Sequence, residues 1–494
     1  SDWAELATMV LWPLALIGPT LWAMHRASVR FGGVRAGPFG YIFAITVIFT
    51  TLKFEIGALD HHNVQMMLLA FILMAVMNRE HRPMDGVIIG VSSAISIAIG
   101  LETLIFVVTI CMMVGVTWVV VGKDAARKTI WFAGSFSSAL AAIYILTKPS
   151  FEATVFRCDA FGMELLTIGL SGGIGLLGLV MAFSTKSRLF RTICVLSLGG
   201  AVILILLKFA PQCLGNPYEP LYPEVAKEWL ARISETESMF GIIANGKLGN
   251  FGFVVIPVIA ALFTLFMSRI KCLRLRAITL FLILAGAYAM MFYQIRGLFF
   301  LLQLCAIPLA AMVGSAYAYY KNTNTLLAGV FFISALFISI PATWIVGARL
   351  VAIRDYESDS VVSSGRFLEC YKFDEYNVLS ALPAGTVAAS TDMGVPILLN
   401  TQHKSISANF HRNQDGILAN IELMKADITD AENLLRKTKV DYVVLCVNDF
   451  ATKEIADMYP DGLWYSLYRD DVPAYLTPVS GGDERLLYIY KTQL

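Results

Sequence analysis

The sequence carries little charge for its length. Asp, Glu, Lys and Arg make up only 15% of the 494 residues, and the formal net charge is +1. A soluble protein of this size would carry more charge, and there is no basic stripe of the kind that attracts nucleic acid. The C-terminal part lacks a G-x-S-x-G elbow, a P-loop and a glycine-rich dinucleotide fingerprint, which argues against a separate enzyme there.

Apolar segments recur throughout the first 346 residues, and each is long enough to cross ~30 Å of hydrocarbon. We therefore predict a polytopic α-helical membrane protein, with a membrane domain over residues 1–346 and a small α/β domain over residues 347–494. The predicted spans are 4–24, 38–54, 63–78, 85–101, 103–121, 129–147, 163–183, 192–209, 251–267, 277–293, 298–318 and 325–346.

Lys and Arg cluster between alternate spans, around Arg30, Arg79, Lys128, Arg188 and Arg274. The positive-inside rule places these clusters in the cytoplasm, so the other connections and the C-terminal domain are expected outside. Both ends of the chain would then be external. Because no signal peptide is visible, we expect an upstream piece with at least one more helix, giving thirteen spans.

The cysteines agree with this topology. Cys158 and Cys213 fall in two predicted external loops, and Cys370 and Cys446 fall in the C-terminal domain. Each pair is a candidate disulfide in an oxidising compartment. The remaining cysteines lie in or near spans and are expected to be small packing residues: Cys111, Cys194, Cys272 and Cys305.

Ionisable residues lie at the lip of the third apolar run, in FEIGALDHHNVQMMLLAFILM. Asp60 and His62 are two residues apart, so in an extended turn a carboxylate and an imidazole can converge on one cation. Mixed oxygen and nitrogen ligation suits Mn²⁺, Mg²⁺ or Zn²⁺. In the alternative interpretation Asp60 caps a helix that begins near Asn63, and His61 and His62 are interfacial polar groups.

Further charged residues lie at the predicted external level. Glu235 and Glu237, in the long loop 210–250, are either solvated or offer another carboxylate to the same metal. Arg296, in a very short turn, either snorkels to the interface or clamps a phosphate through its planar guanidinium. Glu102 is either a surface residue in a tight turn or a fourth ionisable group of the same cluster. Such a cluster at one membrane face indicates the handling of a lipid phosphate.

The stretch GALDHHNVQ (57–65) resembles the G-x-x-D-H-H-x-x-E motif of the catalytic subunit of oligosaccharyltransferases, which are membrane glycosyltransferases of the GT-C fold. ISETES (233–238) resembles the S-V-S-E-H-Q-P stretch of their long external loop. QIRGLFFLLQLCAIP (294–308) resembles their Arg followed by a helix that ends in Pro. STDMGVPILLNTQHKSISANFHRN (390–413) resembles a degenerate W-W-D-Y-G region. The chain is also similar to bacterial GT-C proteins with a D-H-H-N-x-Q pattern.

This resemblance implies a role for each matching residue. Asp60 and His62 would be metal ligands, Glu235 would reach the metal from the other side, and Asp60 and Glu235 would be the catalytic carboxylates. Arg296 would hold the (pyro)phosphate of a polyprenyl-linked sugar donor. Transfer to a glycan, lipid or protein acceptor would invert the anomeric carbon in a single displacement. The site would face outward from a bacterial inner membrane, and other membrane subunits are among the expected partners.

The sequence departs from the family pattern in three places. Gln65 stands where the family has Glu. Ser390 and Thr391 replace the tryptophans of W-W-D-Y-G, of which Asp392 and Gly394 remain. The family's first acidic motif has no counterpart in this chain. These departures leave the acceptor open.

The C-terminal domain is expected to combine strands and helices. AGTVAASTD, DYVVLCVND and RLLYIYKT predict three strands. A capping box at Thr429 predicts a helix that runs toward Lys439. HKSISANFHRN, which contains His403, His411 and Arg412, is either a polar loop or a contact for the acceptor or the donor sugar.

Two other functions compete with an enzyme. One is a transporter or flippase for a lipid-linked sugar, and the other is a non-catalytic subunit that kept a GT-C scaffold. Transporters usually show internal repeats and sites near the bilayer midplane. No clear repeat is visible here, and the ionisable residues gather at one membrane face, which argues against a transporter.

Overall fold

Contacts divide the chain into two units. The computed structural model describes residues 2–149, 158–215, 221–233, 237–244, 251–351, 368–480 and 486–493. The first unit comprises Ser1–Pro217 and Glu235–Ile353, and the second comprises Tyr218–Ser234 and Arg354–Leu494. The boundary predicted from the sequence, between residues 346 and 347, falls inside the helix Pro341–Val351.

Apolar helices make up the first unit because a helix satisfies its own main-chain hydrogen bonds, as hydrocarbon requires. The helices up to residue 351 are α1 (Asp2–Gly32), α2 (Gly37–Thr51), α3 (His61–Val76), α4 (Pro83–Ile99), α5 (Leu104–Val121), α6 (Lys123–Thr147), α7 (Met163–Phe183), α8 (Arg188–Phe209), α9 (Pro223–Glu228), α10 (Met239–Ala244), α11 (Phe251–Met267), α12 (Arg274–Tyr293), α13 (Gly297–Thr323), α14 (Leu326–Ile338) and α15 (Pro341–Val351).

Among the described residues, eight helices are long and apolar enough to cross a membrane, and three shorter apolar helices accompany them. Each predicted span coincides with an apolar helix except the last, 325–346. There the chain forms α14 and α15, which are bent by 82° at a short break. Pro341 at the start of α15 has no N–H to continue the preceding helix, so the predicted span 325–346 is broken into two helices.

Helix α13 is the most deeply buried of the long apolar helices, because 89% of the residues in its most apolar stretch are buried inside the protein. Residues on all its faces are buried, among them Leu301, Gln303 and Ala310. A helix that is apolar all round suits an interior position. Its buried Gln303 donates to the carbonyl of Met66 on α3 (2.7 Å), which ties the two helices together near their polar ends.

Both predicted disulfides are present. Cys158 and Cys213 join the connections on either side of α7 and α8, with Cα atoms 4.9 Å apart. Cys370 and Cys446 join the start of the second unit to its central strand, with Cα atoms 6.2 Å apart. These separations fall in the normal range for disulfides, which confirms both pairings.

The second unit is built on a five-stranded mixed sheet in the order β2-β1-β3-β5-β4. Strand β1 lies parallel to β2 and β3, whereas β5 is antiparallel to β3 and β4. The strands are β1 (Thr386–Ala388), β2 (Lys404–Ser405), β3 (Tyr442–Cys446), β4 (Leu476–Ser480) and β5 (Leu487–Thr492). Helices in this unit include Gly394–Asn400, Gln414–Lys425, Ile428–Thr438, Phe450–Met458 and Leu463–Tyr468.

The three predicted strands are confirmed as β1, β3 and β5. The predicted helix is also present, but its cap differs. Asp427 accepts from the N–H of Asp430 (2.8 Å) and caps the helix, so Thr429 as the capping residue was wrong. Lys439 adopts the left-handed conformation (φ 52°) and ends the helix.

A segment of the long loop belongs to the second unit. Val225 and Trp229 pack on Ile417 and Ile421 of the helix Gln414–Lys425. Glu228, only 7% exposed, pairs with Lys425 (3.1 Å). Burying a charge is costly unless it is paired, so this contact fixes the segment's register.

Candidate functional site

Asp60 initiates α3. It has an extended backbone, and Oδ1 accepts from the main-chain N–H of His62 (3.0 Å). The capping interpretation is therefore confirmed, with the helix beginning at His61 rather than near Asn63. The short polar cap and the apolar run behind it explain why the chain turns here.

The same carboxylate holds both imidazoles. Oδ1 lies 2.7 Å from Nδ1 of His62 and 3.2 Å from Nδ1 of His61. An ionised carboxylate only accepts, so Nδ1 of His62 carries the proton. His62 is 3% exposed, and its Nε2 is buried without a hydrogen-bond partner among the described residues. That nitrogen therefore presents a lone pair in a protected position.

Lys53, which sequence reasoning missed, completes the surroundings of Asp60. Its Nζ lies 2.8 Å from Oδ2 of Asp60 and 4.5 Å from the ring centre of Phe299. Burial disfavours the ionised carboxylate, but hydrogen bonds from His61, His62 and Lys53 hold the pKa of Asp60 well below its usual range. The bond to Asp60, with help from Glu102, raises the pKa of His61 to about 9.

Glu102 joins this cluster to Arg296. It lies in the short turn Leu101–Thr103 before α5. Its Oε1 is 3.7 Å from Nε2 of His61 and 3.7 Å from Nη1 of Arg296. A Cβ at Gly100 would collide with the Glu102 carboxylate, so the glycine is needed for this approach. The structure thus brings together Asp60, His61, His62, Glu102 and Arg296.

Gln65 contacts the turn that carries Glu102. Its side chain is fully buried, and Nε2 donates to the carbonyl of Gly100 (3.0 Å) and lies 3.4 Å from Oε2 of Glu102. A glutamate here would lose these donors and face a second carboxylate. The presence of Gln65 where the family has Glu is therefore matched to its neighbour Glu102.

Arg296 has hydrogen-bonding capacity to spare. It immediately precedes α13, its side chain is 17% exposed, and its Nε is buried without a partner among the described residues. The N–H of the preceding Ile295 donates to the carbonyl of Glu237 (2.8 Å), so Glu237 lies beside this turn. Glu235 lies outside the described residues.

Asp392 and His411 belong to the second unit, and each is described with its own neighbours. The Asp392 carboxylate accepts from the side-chain amide of Asn409, and the His411 ring lies 5.8 Å from that of Phe410. His403 is buried and bridges Gly385 and Leu379 by hydrogen bonds, which indicates a structural role. Contacts of Asp392 or His411 with an acceptor stay predictions.

Asp60, His61 and His62 could hold a metal ion. Each offers one ligand atom, and these atoms lie within 4.8 Å of one another. The unpartnered Nε2 of His62, with Nδ1 anchored on Asp60, fits the way metal-binding histidines are oriented. The residues therefore fit a cation with affinity for nitrogen, although Lys53 already contacts Oδ2 of Asp60.

No protein-family model and no curated protein matches the sequence, but solved structures match the fold. The archaeal oligosaccharyltransferase AglB from Archaeoglobus fulgidus, in complex with an inhibitory peptide and a dolichol-phosphate, aligns with 96% of this chain at 14% identity and a TM-score of 0.63. The A. fulgidus enzyme tethered to an acceptor peptide with the NVT sequon aligns with 99% at 15% identity and a TM-score of 0.61.

A third structure, the A. fulgidus enzyme with Zn and sulfate, aligns with 90% of this chain at 14% identity and a TM-score of 0.57. The alignments cover 62%, 63% and 56% of those three chains, so this chain spans less than two thirds of their length. The agreement extends over nearly all of this sequence. The chain therefore shares the GT-C fold of archaeal oligosaccharyltransferases.

Proposed function

We propose that this protein is a membrane glycosyltransferase that transfers a sugar or oligosaccharide from a polyprenyl (pyro)phosphate to an extracytoplasmic acceptor. One observation carries the proposal. Glu102 contacts both His61 and Arg296, and so makes a single site from an acid–imidazole cluster and a phosphate-matching guanidinium. One solved structure of the same fold holds a dolichol-phosphate with an inhibitory peptide, and another is tethered to an acceptor peptide, which supports a lipid-linked donor.

The proposed topology places twelve spans in the membrane, with α14 and α15 together as the last and both ends of the chain external. The Asp60 end of the bundle and the C-terminal domain would face the periplasm from a bacterial inner membrane. The basic connections support this orientation. The disulfides Cys158–Cys213 and Cys370–Cys446 support it too, because disulfides persist in oxidising compartments.

Arg296 is proposed to bind the donor phosphate. Its buried Nε and the outward part of its guanidinium can donate to two phosphate oxygens at once. Glu102 holds Nη1 and thereby fixes the orientation of the guanidinium before the donor arrives. Donors that are fixed in advance stabilise developing charge on a leaving phosphate without reorganisation.

Asp60 and His62 are proposed to hold a divalent cation through a carboxylate oxygen and an imidazole nitrogen, with Glu235 as a further ligand. When bound, such an ion supplies Lewis-acid stabilisation of the departing (pyro)phosphate. Zn²⁺ and Mn²⁺ accept imidazole more readily than Mg²⁺ does, and a relative was crystallised with Zn. His61 stays on the carboxylates of Asp60 and Glu102 and keeps both in place.

The proposed reaction is a single displacement with inversion. The acceptor nucleophile forms a bond to the anomeric carbon, the bond from that carbon to the phosphate oxygen breaks, and the lipid (pyro)phosphate leaves on the Arg296 side. The acceptor's proton passes to a carboxylate, for which Glu235 and Asp60 are the candidates. Asp392 and His411 are proposed acceptor contacts.

The test is a transfer assay on the full-length protein in native membrane extract with its own lipid-linked sugars, with and without EDTA. Asp60→Ala and Arg296→Ala are compared with Arg188→Ala, an exposed arginine at the start of α8. We expect EDTA and both site variants to reduce transfer by about 100-fold or more, whereas Arg188→Ala retains it.

Retained transfer in both site variants would remove this site from the reaction. Transfer that resists EDTA but requires Arg296 would keep the phosphate clamp and reject the metal. A wild-type protein with no transfer and no bound metal would favour a non-catalytic subunit on the same scaffold.

A further inference from the structure

A second polar feature lies at the opposite end of the same helices. Asp60 precedes α3 and Arg296 follows α12, whereas Val76 ends α3 and Arg276 lies in the first turn of α12. A helix of 16 residues such as α3 is about 24 Å long. At this far end a cavity of about 300 Å³ lies between α3, α5, α6 and α12.

Basic side chains line this cavity. They come from four separate places in the sequence: Arg79 and His81 after α3, Lys128 on α6, Lys271 before α12, and Arg276 on α12. None of the described lining residues is acidic. The nearest carboxylate on α4, Asp85, is engaged by Asn78 (2.7 Å) and Arg30 (3.6 Å). Asp85 also acts electrostatically on Lys128, and Asp85 and Asp124 act on His81, but both carboxylates lie outside the lining, so the described walls themselves carry basic groups without an acid.

The buried cation Lys128 is the strongest sign of a built site. It is 8% exposed, and its Nζ donates to the carbonyl of Ala75 (3.0 Å), whereas an ammonium has three N–H donors. Nδ1 of His81 is also buried without a partner in the part of the chain that the structure describes. Positive-inside topology accounts for exposed lysines and arginines, but it does not require a cation at a buried position.

Arg276 has a structural task that leaves part of its guanidinium unused. Nη1 donates to the carbonyls of Arg30 and Met77 (2.9 Å each), and Nη2 donates to that of Cys272 (3.0 Å). A guanidinium carries five N–H donors, so two remain beyond these bonds. These contacts hold the Arg276 side chain at the cavity wall with its position already fixed.

The rest of the lining is mostly apolar. It includes Ile89, Ile110, Met113 and Val114, and along α5 it extends from Ile110 to Val121. The eleven helical rises between these two residues correspond to about 16 Å, so the lining reaches roughly half-way along a membrane-spanning helix. Apolar walls do not stabilise a small hydrated anion, but they do stabilise an acyl or prenyl chain by burying its surface.

We propose that this cavity binds the phosphate headgroup of a membrane lipid, with the start of its hydrocarbon chain along α5. Lys128, Arg79, Lys271 and Arg276 contact the phosphate, and the α5 wall contacts the chain. Charge-assisted hydrogen bonds from several cations are the usual recognition of a phosphate monoester or diester. The inference does not depend on the chemistry at Asp60.

The test is native mass spectrometry of the full-length protein, delipidated in detergent, with phosphatidylglycerol, diacylglycerol or inorganic phosphate added. We expect phosphatidylglycerol to bind and diacylglycerol, which lacks the phosphate, to bind far less. Lys128→Met is expected to weaken phosphatidylglycerol binding about tenfold, the usual effect of one lost charge-assisted hydrogen bond. Arg127→Ala, an exposed neighbour that does not line the cavity, is the matched control and should bind normally.

Two further variants separate the sources of the phosphate and guard against misfolding. Thr117→Phe fills the apolar part, so it should block the lipid but not inorganic phosphate. Inorganic phosphate that binds in a Lys128-dependent way, with lipid binding unaffected by Thr117→Phe, would keep the anion site but reject its lipid occupant. If Lys128→Met does not fold, the double variant Arg79→Ala/Lys271→Ala, at exposed positions, takes its place. Equal lipid binding by these variants and Arg127→Ala would overturn the proposal.

Discussion

The two ends of helices α3, α5 and α12 use charge in opposite ways. At the Asp60 end, the two carboxylates of the cluster each touch a base: Asp60 contacts Lys53 and both histidines, and Glu102 contacts His61 and Arg296. At the far end, Lys128 and Arg276 face a cavity whose described lining contains no acid. The same helices thus carry a paired cluster at one end and an unpaired one at the other.

This difference separates two kinds of site. Paired charges fix each other's positions, which suits a reaction that needs donors and acceptors held in advance. Unpaired cations beside apolar walls leave the neutralising charge to a ligand, which suits binding without chemistry. The number of charged residues in a loop does not distinguish a reaction site from a binding site. What distinguishes them is whether each charged side chain already has a partner within the protein.

The largest expected effect comes from His62. Its Nε2 is the buried, unpartnered nitrogen of the paired end, so His62→Ala should weaken Zn²⁺ or Mn²⁺ binding by about 100-fold, measured by isothermal titration calorimetry on the purified protein. His81→Ala is the matched control, because Nδ1 of His81 is also buried and unpartnered but lies at the other end. An equal loss of metal affinity in both variants would contradict the assignment of the metal site to the Asp60 end.

The next effect concerns Gln65. Gln65→Glu would set a second buried carboxylate 3.4 Å from that of Glu102, at a fully buried position. We expect the protein to lose about 2 kcal/mol more stability than it does in Gln65→Met, which removes the same donor without adding charge. Thermal unfolding in detergent would show the difference. Equal unfolding temperatures for the two variants would mean that Glu102 is not held as a carboxylate.

A smaller effect is expected for Arg296→Lys. Lysine keeps the charge but loses the buried Nε and the fork that matches two phosphate oxygens. Transfer should fall about tenfold, corresponding to one lost charge-assisted hydrogen bond. Arg188→Lys at an exposed position is the control. Full activity in Arg296→Lys would mean that transfer needs only the positive charge at this position and not the geometry of the guanidinium.

Much of the fold follows from the sequence, because apolar length and cysteine placement are strong signals. The apolar runs became helices, both disulfides formed as predicted, and three strands were recognised from short apolar stretches between turn residues. The break at Pro341 was missed because the apolar run continues on both sides of the proline, although proline is itself a signal for a helix break. Strand β2 was missed because it has two residues, and β4 because it carries Pro478 at the edge of the sheet.

The site was partly predictable. Asp60, His62 and Arg296 stood out because ionisable residues at the lip of apolar runs are rare, and a family motif supported them. Lys53 did not stand out, because a lone lysine at the end of a span is ordinary. Its partner Asp60 lies seven residues away, across a turn whose path the sequence does not reveal. The far-end cavity was equally hidden, since Lys128 looks like any other residue of a basic loop until its burial is known.

Lys53 provides the finest test of the paired end. Its Nζ contacts Oδ2 of Asp60, the carboxylate that is proposed to bind a cation, so the ammonium and the metal compete for one oxygen and repel each other. Lys53→Met should therefore raise the affinity for Zn²⁺ or Mn²⁺ by about fivefold, since a partly exposed ion pair is worth about 1 kcal/mol. Calorimetry would measure it, with Lys123→Met at an exposed position as the control. A weaker affinity in Lys53→Met would mean that Lys53 orients Asp60 for the metal instead of competing with it, and the pairing at this end would then be part of the metal site itself.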